Sequence, residues 1–138
     1  GLCNDLGFTK KDRVENIRRV GELSKLFMEA GIITLAAFIS PFVNDRERLK
    51  KMFLKDEFVE VYVKCDLEIC ESRDVKGIYS KARSGKIRDF TGIDSPYEKP
   101  LNPNITIDTN KINIKDSVNI ILDYIYDKKI IQKGINDL

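Results

Sequence analysis

The apolar segment IITLAAFI at residues 32–39 constrains the fold more than any other part of the sequence. It is apolar on both faces, which is typical of strands in a parallel sheet that helices cover on both sides. Two later segments also have the composition of strands, FVEVYVKC at 58–65 and NITIDT at 104–109. Helical patterns separate these three segments, so the sequence predicts an α/β fold with a parallel sheet and right-handed crossovers.

The first predicted helix begins with a capping box, because Thr9 and Asp12 have the spacing that satisfies free amides at a helix start. Apolar residues recur every three or four positions to about Ala30, and Gly31 is suited to end the helix. Further helices are predicted at about 45–53, in DLEICESR, within 73–100 and in KDSVNIILDYIYDKK, while the tail QKGINDL at 132–138 is expected to be peripheral.

Composition excludes several classes of function. The 138 residues suit a single domain, 1–138, and a net charge of +2 argues against a nucleic-acid partner. No apolar run approaches the length that spans a bilayer, so no membrane partner is expected. The absence of histidine excludes Ser-His-Asp and Cys-His catalysis and histidine-ligated metals. Three cysteines form neither an even disulfide set nor a zinc pattern, which fits a reducing, cytoplasmic location.

The ends of the predicted strands give the position of a ligand site. In parallel α/β sheets, ligands bind outside the carboxyl ends of the strands. This rule locates Ser40, Cys65-Asp66 and Asp108-Thr109 at one edge of the sheet. Pro41 follows Ser40 directly and is expected to turn the chain away from that edge.

The segment 73–100 is a long connection with a strongly basic first half. Between Arg73 and Arg88 it has six basic residues against one acid, and three glycines punctuate the segment. A basic loop with glycine hinges suits a lid that closes over phosphates, and a solvated flexible loop is the alternative. The basic residues are Arg73, Lys76, Lys81, Arg83, Lys86 and Arg88.

The segment DRVENIRR supplies a second set of candidate ligand-binding residues. Arg13 and Asn16 are three residues apart and share one helix face, where Arg13 suits a phosphate or sulfate and Asn16 a base or ribose. The alternative is a solvent-facing polar stripe, and Phe8 is either a core residue or a stacking platform.

SGKI at 84–87 lacks the earlier glycine and the Ser or Thr after lysine, so no Walker A motif exists in this chain.

Several segments together resemble adenylyl-sulfate kinases: DLGFTKKDRVENIRRVGELSKLF, AAFISPF, ESRDVKGIYSKARSGKIRDFTGIDSPYEKP and the closing strand and helix. The resemblance covers roughly Leu6 to Tyr126. It implies a three-layer parallel-sheet P-loop kinase fold, here without its first strands. The implied reaction transfers the ATP γ-phosphate to the 3′-hydroxyl of adenylyl sulfate and gives 3′-phosphoadenylyl sulfate. The family also implies Mg2+ with ATP, a homodimer, and fusion or association with ATP sulfurylase.

The resemblance also implies individual roles. Phe8 and Phe90 would stack on the adenine from opposite sides, and Arg13 and Asn16 would hold the phosphosulfate and adenosine portions. In some relatives the serine that matches Ser40 accepts a phosphate during turnover, a step implied to be non-essential. The residues implied to bind adenylyl sulfate are Phe8, Arg13, Asn16, Ile39, Ser40, Lys76 and Phe90, with Lys76 also affecting rate. Those implied to contact ATP are Arg73 and the stretch from Thr109 to Ile112, and no metal ligand is assigned.

Two family features have no counterpart here, the glycine-rich loop ending in Gly-Lys-Ser/Thr and the strand ending in an Asp-Gly-Asp type motif. We therefore expect these residues to be the C-terminal part of a longer polypeptide, incomplete for catalysis alone, with the 32–39 strand lacking its central neighbour. Two other functions stay open. One is a P-loop kinase for another small metabolite, and the other is a non-catalytic module that binds adenylyl sulfate or a nucleotide.

Overall fold

The computed structural model describes residues 1–131, so the predicted peripheral tail at 132–138 lies outside the described residues. The chain forms two compact units. The first comprises 1–58 and 74–101, and the second comprises 59–73 and the residues from 102 onward. The elements are α1 (Lys10–Glu29), α2 (Val43–Lys50), β1 (Val61–Lys64), α3 (Leu67–Ser72), α4 (Ile78–Arg83), β2 (Ile105–Asp108) and α5 (Ile114–Asp127).

Helix α1 has the boundaries that its capping residues predict. The Asp12 amide donates to Thr9 Oγ1 at 3.2 Å, which satisfies one of the free amides at the helix start. At the other end, the Gly31 amide donates to the Met28 carbonyl and the Ile32 amide to the Phe27 carbonyl. This pair of hydrogen bonds is a Schellman motif, and it requires the left-handed φ of +79° that Gly31 adopts. The predicted N-cap at Thr9 and the glycine stop are confirmed, and the Asp12 carboxylate accepts from the Thr9 hydroxyl at 2.7 Å.

Helices α1 and α2 pack on each other in the first unit. Ile17 and Gly21 are the buried positions of α1, one helical turn apart. Leu49 Cδ1 lies only 2.2 Å from where a Cβ of residue 21 would stand, so Leu49 of α2 occupies the space that glycine leaves open. The predicted helix at about 45–53 therefore exists, but it begins and ends earlier, at Val43–Lys50.

The strand predicted at 32–39 is wrong for this structure. The segment is extended but forms no strand, and Leu35 is 86% exposed. Within residues 1–131, no backbone hydrogen bond joins the amides of 33–39 to another segment. A strand is defined by its ladder to a neighbour, and no neighbour is present among the described residues. An apolar composition alone therefore does not make a strand here, because the described residues supply no neighbour for 32–39.

The second unit contains the parallel pair that the sequence predicts. Strand β1 pairs with β2 in parallel, with Val61 opposite Ile105 and Lys64 opposite Asp108. Ile105 and Ile107 point to the same side of β2 and are buried, and α5 packs against this strand. Both strands are shorter than predicted, while α3 and α5 form close to their predicted positions. No helix in the described part of the chain is long and apolar enough to cross a membrane.

Substitution of Gly31 tests the Schellman end of α1. A Cβ at this position meets no atom within 4 Å, so Gly31→Ala introduces backbone strain without a steric clash. We expect a loss of about 1 kcal/mol in the free energy of unfolding of the whole protein, measured by urea denaturation. Gly31→Asn is the matched control, because asparagine tolerates the left-handed region, and it should lose less. Equal losses in the two variants would contradict this explanation.

Candidate functional site

Phe8 is presented at the end of an N-terminal turn that Arg19 ties to α1. Arg19 Nη1 donates to the Leu2 carbonyl at 2.8 Å, and both of its terminal nitrogens donate to the Asp5 carboxylate at 2.6 and 2.7 Å. These hydrogen bonds lower the pKa of Asp5 below its usual value. The Phe8 ring is 83% exposed, so it is available as a stacking surface and is not part of the core.

Arg13 connects Phe8 with the turn that carries Phe90. Its Nε donates to the Phe8 carbonyl at 2.9 Å, and its Nη1 donates to Thr91 Oγ1 at 2.9 Å. Its Nη2 donates to the Asp89 carbonyl at 2.5 Å. The structure therefore brings Phe8, Arg13 and the Phe90 turn together. A guanidinium has five N–H donors, so two remain for a ligand, one on each Nη atom.

The Phe90 turn is held by Asp94. The Asp94 carboxylate accepts from the amides of both Asp89 and Phe90, the first at 2.9 Å. Asp89 has a φ of +56°, an uncommon conformation that these hydrogen bonds and the one from Arg13 fix. The Phe90 ring also contacts the Tyr79 ring of α4 edge-on, with centroids 5.0 Å apart. Phe90 is thus held from both its backbone and its ring.

The other predicted acceptor-site residues of this unit have different surroundings. Asn16 Oδ1 accepts from Cys3 Sγ at 3.2 Å, which leaves its amide nitrogen as a donor. Ile39 is 65% exposed, and the Ser40 carbonyl accepts from Arg46. Lys76 is exposed, and it is not among the residues that the hydrogen bonds of Arg13 join, which are Phe8, Asp89 and Thr91. An open surface depression along α1 is lined by Lys10, Lys11, Val14 and Glu15, and none of the predicted acceptor-site residues lines it.

The predicted ATP-side residues lie in the second unit, where two of them meet. Arg73 Nη2 donates to the Thr109 carbonyl at 2.9 Å. Thr109 donates from both its amide and its Oγ1 to the Lys64 carbonyl, each at 2.9 Å, which fixes the turn after β2 to the end of β1. The Ile112 amide donates to the Asp108 carbonyl in the same turn.

A charged pair stabilises the same end of the second unit. Lys64 Nζ lies 3.0 Å from Asp108 Oδ2. The hydrogen bond from Lys64 lowers the pKa of Asp108, and that of Lys64 is raised in turn. Asn110 Oδ1 accepts from the Asp66 amide at 3.1 Å, so β1 and β2 are also joined beyond their ladder. These contacts therefore fix the turn after β2, which contains Thr109 and Ile112, to the end of β1.

Sequence reasoning missed three residues that organise these groups: Arg46, Asp94 and Glu98. Asp94 and Glu98 stand within the quoted segment FTGIDSPYE, but nothing in the spacing indicates which amides they accept from. Arg46 is 8% exposed although its helix is charged along its length, so no periodicity signals its burial. The one available signal is an acid four residues after Phe90, which suits a turn cap.

Within residues 1–131, no group of three or more His, Cys, Asp or Glu side chains is arranged to hold a metal ion. No residue of this part of the chain is assigned to a metal.

Comparison with known proteins gives the family. The family model described as Adenylylsulphate kinase matches residues 1–108. The adenylyl-sulfate kinase of Clostridium kluyveri is 60% identical over 125 residues, which cover 91% of this chain and 62% of the relative. That of Oceanobacillus iheyensis is 56% identical over 131 residues, which cover 95% of this chain and 66% of the relative. The chain spans less than two thirds of the length of these two curated relatives.

A solved structure extends the comparison to the fold. The Mycobacterium tuberculosis APS kinase CysC, in complex with AMPPNP and APS, superposes with a TM-score of 0.82 and is 38% identical. The match covers 91% of this chain and 73% of that chain. This chain belongs to the adenylylsulphate kinase family, and its α/β fold with parallel strands is the one predicted from the sequence.

The pH dependence of stability tests the ion pairs beside the Phe8 turn. Hydrogen bonds from Arg18 and then Arg19 lower the pKa of Glu15 from 4.5 to about 2. A lowered folded-state pKa means that the contribution of Glu15 is fully present above its unfolded pKa and is lost as the pH falls through about 2. We expect the stability difference between wild type and Glu15→Gln, measured by urea unfolding, to shrink steadily below pH 4.5. Glu29→Gln is the control, and a pH-independent difference for Glu15→Gln would contradict the prediction.

Proposed function

We propose that the protein containing this chain transfers the γ-phosphate of ATP to the ribose 3′-hydroxyl of adenylyl sulfate. Family membership supports this, and so does the 38% identity to an APS kinase that holds AMPPNP, an ATP analogue, together with APS. The observation that carries the proposal is the set of hydrogen bonds from Arg13, which joins one exposed aromatic residue to the turn of another.

In the proposed acceptor site, each residue has a chemical group that suits one part of adenylyl sulfate. Phe8 and Phe90 offer faces on which an adenine can stack, and stacking of a base on an aromatic ring is worth about 1–3 kcal/mol. Arg13 keeps two N–H donors for the phosphosulfate, and the amide nitrogen of Asn16 is available to the adenosine. Ile39 and Ser40 would contact the same ligand from the end of the extended segment.

The donor side of the proposal rests on the second unit and on the basic segment. Arg73, Thr109 and Ile112 would contact ATP, and Lys76 would bring positive charge to the phosphates. Hydrogen bonds from Arg13 and Arg46 hold the end of the predicted lid, 89–98, so we assign the closing movement of the lid to 74–88.

The proposed reaction is a direct phosphoryl transfer. The 3′-oxygen forms a bond to the γ-phosphorus as the bond to the β–γ bridging oxygen breaks, ADP leaves, and the hydroxyl proton passes to a base. Catalysis of this kind depends on positioning and on stabilisation of charge, which Arg13, Arg73 and Lys76 would supply in part. No residue of this chain is assigned as the base or as the loop that surrounds the phosphates.

The remaining parts of the proposal rest on family membership. Mg2+ would enter with ATP and neutralise phosphate charge. We propose a homodimer in the cytoplasm, associated or fused with ATP sulfurylase. A second candidate function is a non-catalytic module for adenylyl sulfate, which would need only the acceptor-side residues Phe8, Arg13 and Phe90 that the Arg13 hydrogen bonds join.

Transfer of labelled phosphate tests the proposed function directly. The whole protein, including any residues beyond these 138, is incubated with γ-labelled ATP, Mg2+ and adenylyl sulfate, and the products are separated. We expect the label to appear in 3′-phosphoadenylyl sulfate. In a parallel reaction with adenosine 5′-monophosphate in place of adenylyl sulfate, we expect no labelled acceptor. Adenylyl sulfate binding without transfer would favour the non-catalytic module, and transfer only to other acceptors would favour a different kinase.

Removal of the Arg13 side chain tests the acceptor site. Arg13→Ala deletes hydrogen bonds to a charged group and releases the Phe90 turn, so we expect the KM for adenylyl sulfate to rise at least about tenfold. The KM for ATP should stay within about twofold, because Arg13 is not assigned to the donor side. Arg18→Ala on the exposed face of α1 is the matched control and should leave both constants unchanged. Comparable increases in both KM values would argue against the assigned role.

A further inference from the structure

Ser40 has a backbone conformation that residues with a Cβ avoid. Its φ is +41°, in the left-handed region, where the side chain crowds the backbone. A residue persists in this region only when neighbouring contacts fix it there. The preceding residues 33–39 make no backbone hydrogen bonds from their amides to other described segments, so the contacts come from the residues after Ser40.

Arg46 provides the first of these contacts. It is the buried charged side chain of α2, only 8% exposed. Its Nη1 donates to the Ser40 carbonyl, and its Nη2 donates to the Glu98 carbonyl at 2.6 Å. Its guanidinium also lies over the Tyr97 ring, 5.8 Å from the centroid. The planar guanidinium therefore joins the Ser40 turn to the end of the segment that carries Phe90.

Glu98 provides the second fixing point. Its amide donates to the Pro41 carbonyl at 2.8 Å, and its side chain accepts from the Val43 amide at 2.6 Å. The Val43 amide is one of the free donors at the start of α2, so Glu98 also caps this helix. Arg46, one helical turn further along the chain, and Glu98, more than fifty residues away, thus hold the three residues from Ser40 to Phe42 between them.

We propose that Arg46 is a positioning residue for acceptor binding, which fixes Ser40 at its left-handed φ and so sets where Ile39 and Ser40 meet adenylyl sulfate. This inference rests on the proposed function. Arg46 acts through the Ser40 and Glu98 carbonyls and is not assigned a contact with the substrate. Glu98 supports the same turn from the other side.

A lysine at position 46 keeps the charge but cannot donate to two carbonyls with a planar fork. In most molecules of this variant, Ser40 would then adopt a negative φ in place of the positive one. If one tenth of the molecules keep the competent turn, the apparent affinity falls about tenfold. We therefore expect Arg46→Lys to raise the KM for adenylyl sulfate about tenfold and to leave the KM for ATP within about twofold.

A double-variant cycle separates positioning from general destabilisation. Glycine adopts positive φ without the cost of a Cβ, so Ser40→Gly should make the turn less dependent on Arg46. In the Ser40→Gly background, Arg46→Lys should raise the KM for adenylyl sulfate less than about threefold. Arg48→Lys, on the same helix but exposed, is the matched control and should change neither constant.

Hydrogen exchange gives a readout that does not depend on activity. Arg46→Lys should speed exchange of the Val43 and Glu98 amides, which donate within the turn, in the whole protein. Three results would overturn the inference: equal rises in both KM values, the same effect of Arg46→Lys with and without Ser40→Gly, or faster exchange with an unchanged KM. Absence of any adenylyl-sulfate-dependent turnover in the wild type would overturn the proposed function, and this inference with it, before any variant is compared.

Discussion

The hydrogen bonds of Arg13 are the interaction on which the candidate site depends. The guanidinium donates to the Phe8 carbonyl, just before α1. It also donates to the Asp89 carbonyl and the Thr91 hydroxyl, which lie on either side of Phe90 in the sequence. Residues 76 to 78 positions away in sequence are thereby held against the start of α1. Because this guanidinium is also the group expected to meet the phosphosulfate, the site is partly organised before a ligand arrives.

A second arginine performs a similar function at the other end of the Phe90 segment. Arg46 holds the Glu98 carbonyl, and Glu98 in turn holds Pro41 and Val43. The segment from Asp89 to Glu98 is therefore attached at both ends by buried or half-buried guanidinium groups. Order of this kind lowers the entropic cost of binding and favours a fixed acceptor site, in contrast to the basic segment before it.

The sequence predicts the parts of the fold that local signals determine. Thr9 and Gly31 mark the ends of α1, and β1, β2 and α5 appear where their patterns predict them. The segment 32–39 fails because a strand also needs a neighbour, which its own composition cannot provide. The contacts of Arg46 with Ser40 and Glu98 could not be predicted, because they join residues up to 52 positions apart through carbonyl oxygens that every residue carries.

A crystal structure of the whole protein with adenylyl sulfate tests the central claim most directly. We expect an adenine in contact with the rings of Phe8 and Phe90, and phosphosulfate oxygens within hydrogen-bond distance of the two remaining Arg13 donors. Ser40 should keep its positive φ in the complex. An adenine bound elsewhere, with Phe8 and Phe90 both free of ligand, would contradict the assignment of these residues to the acceptor site.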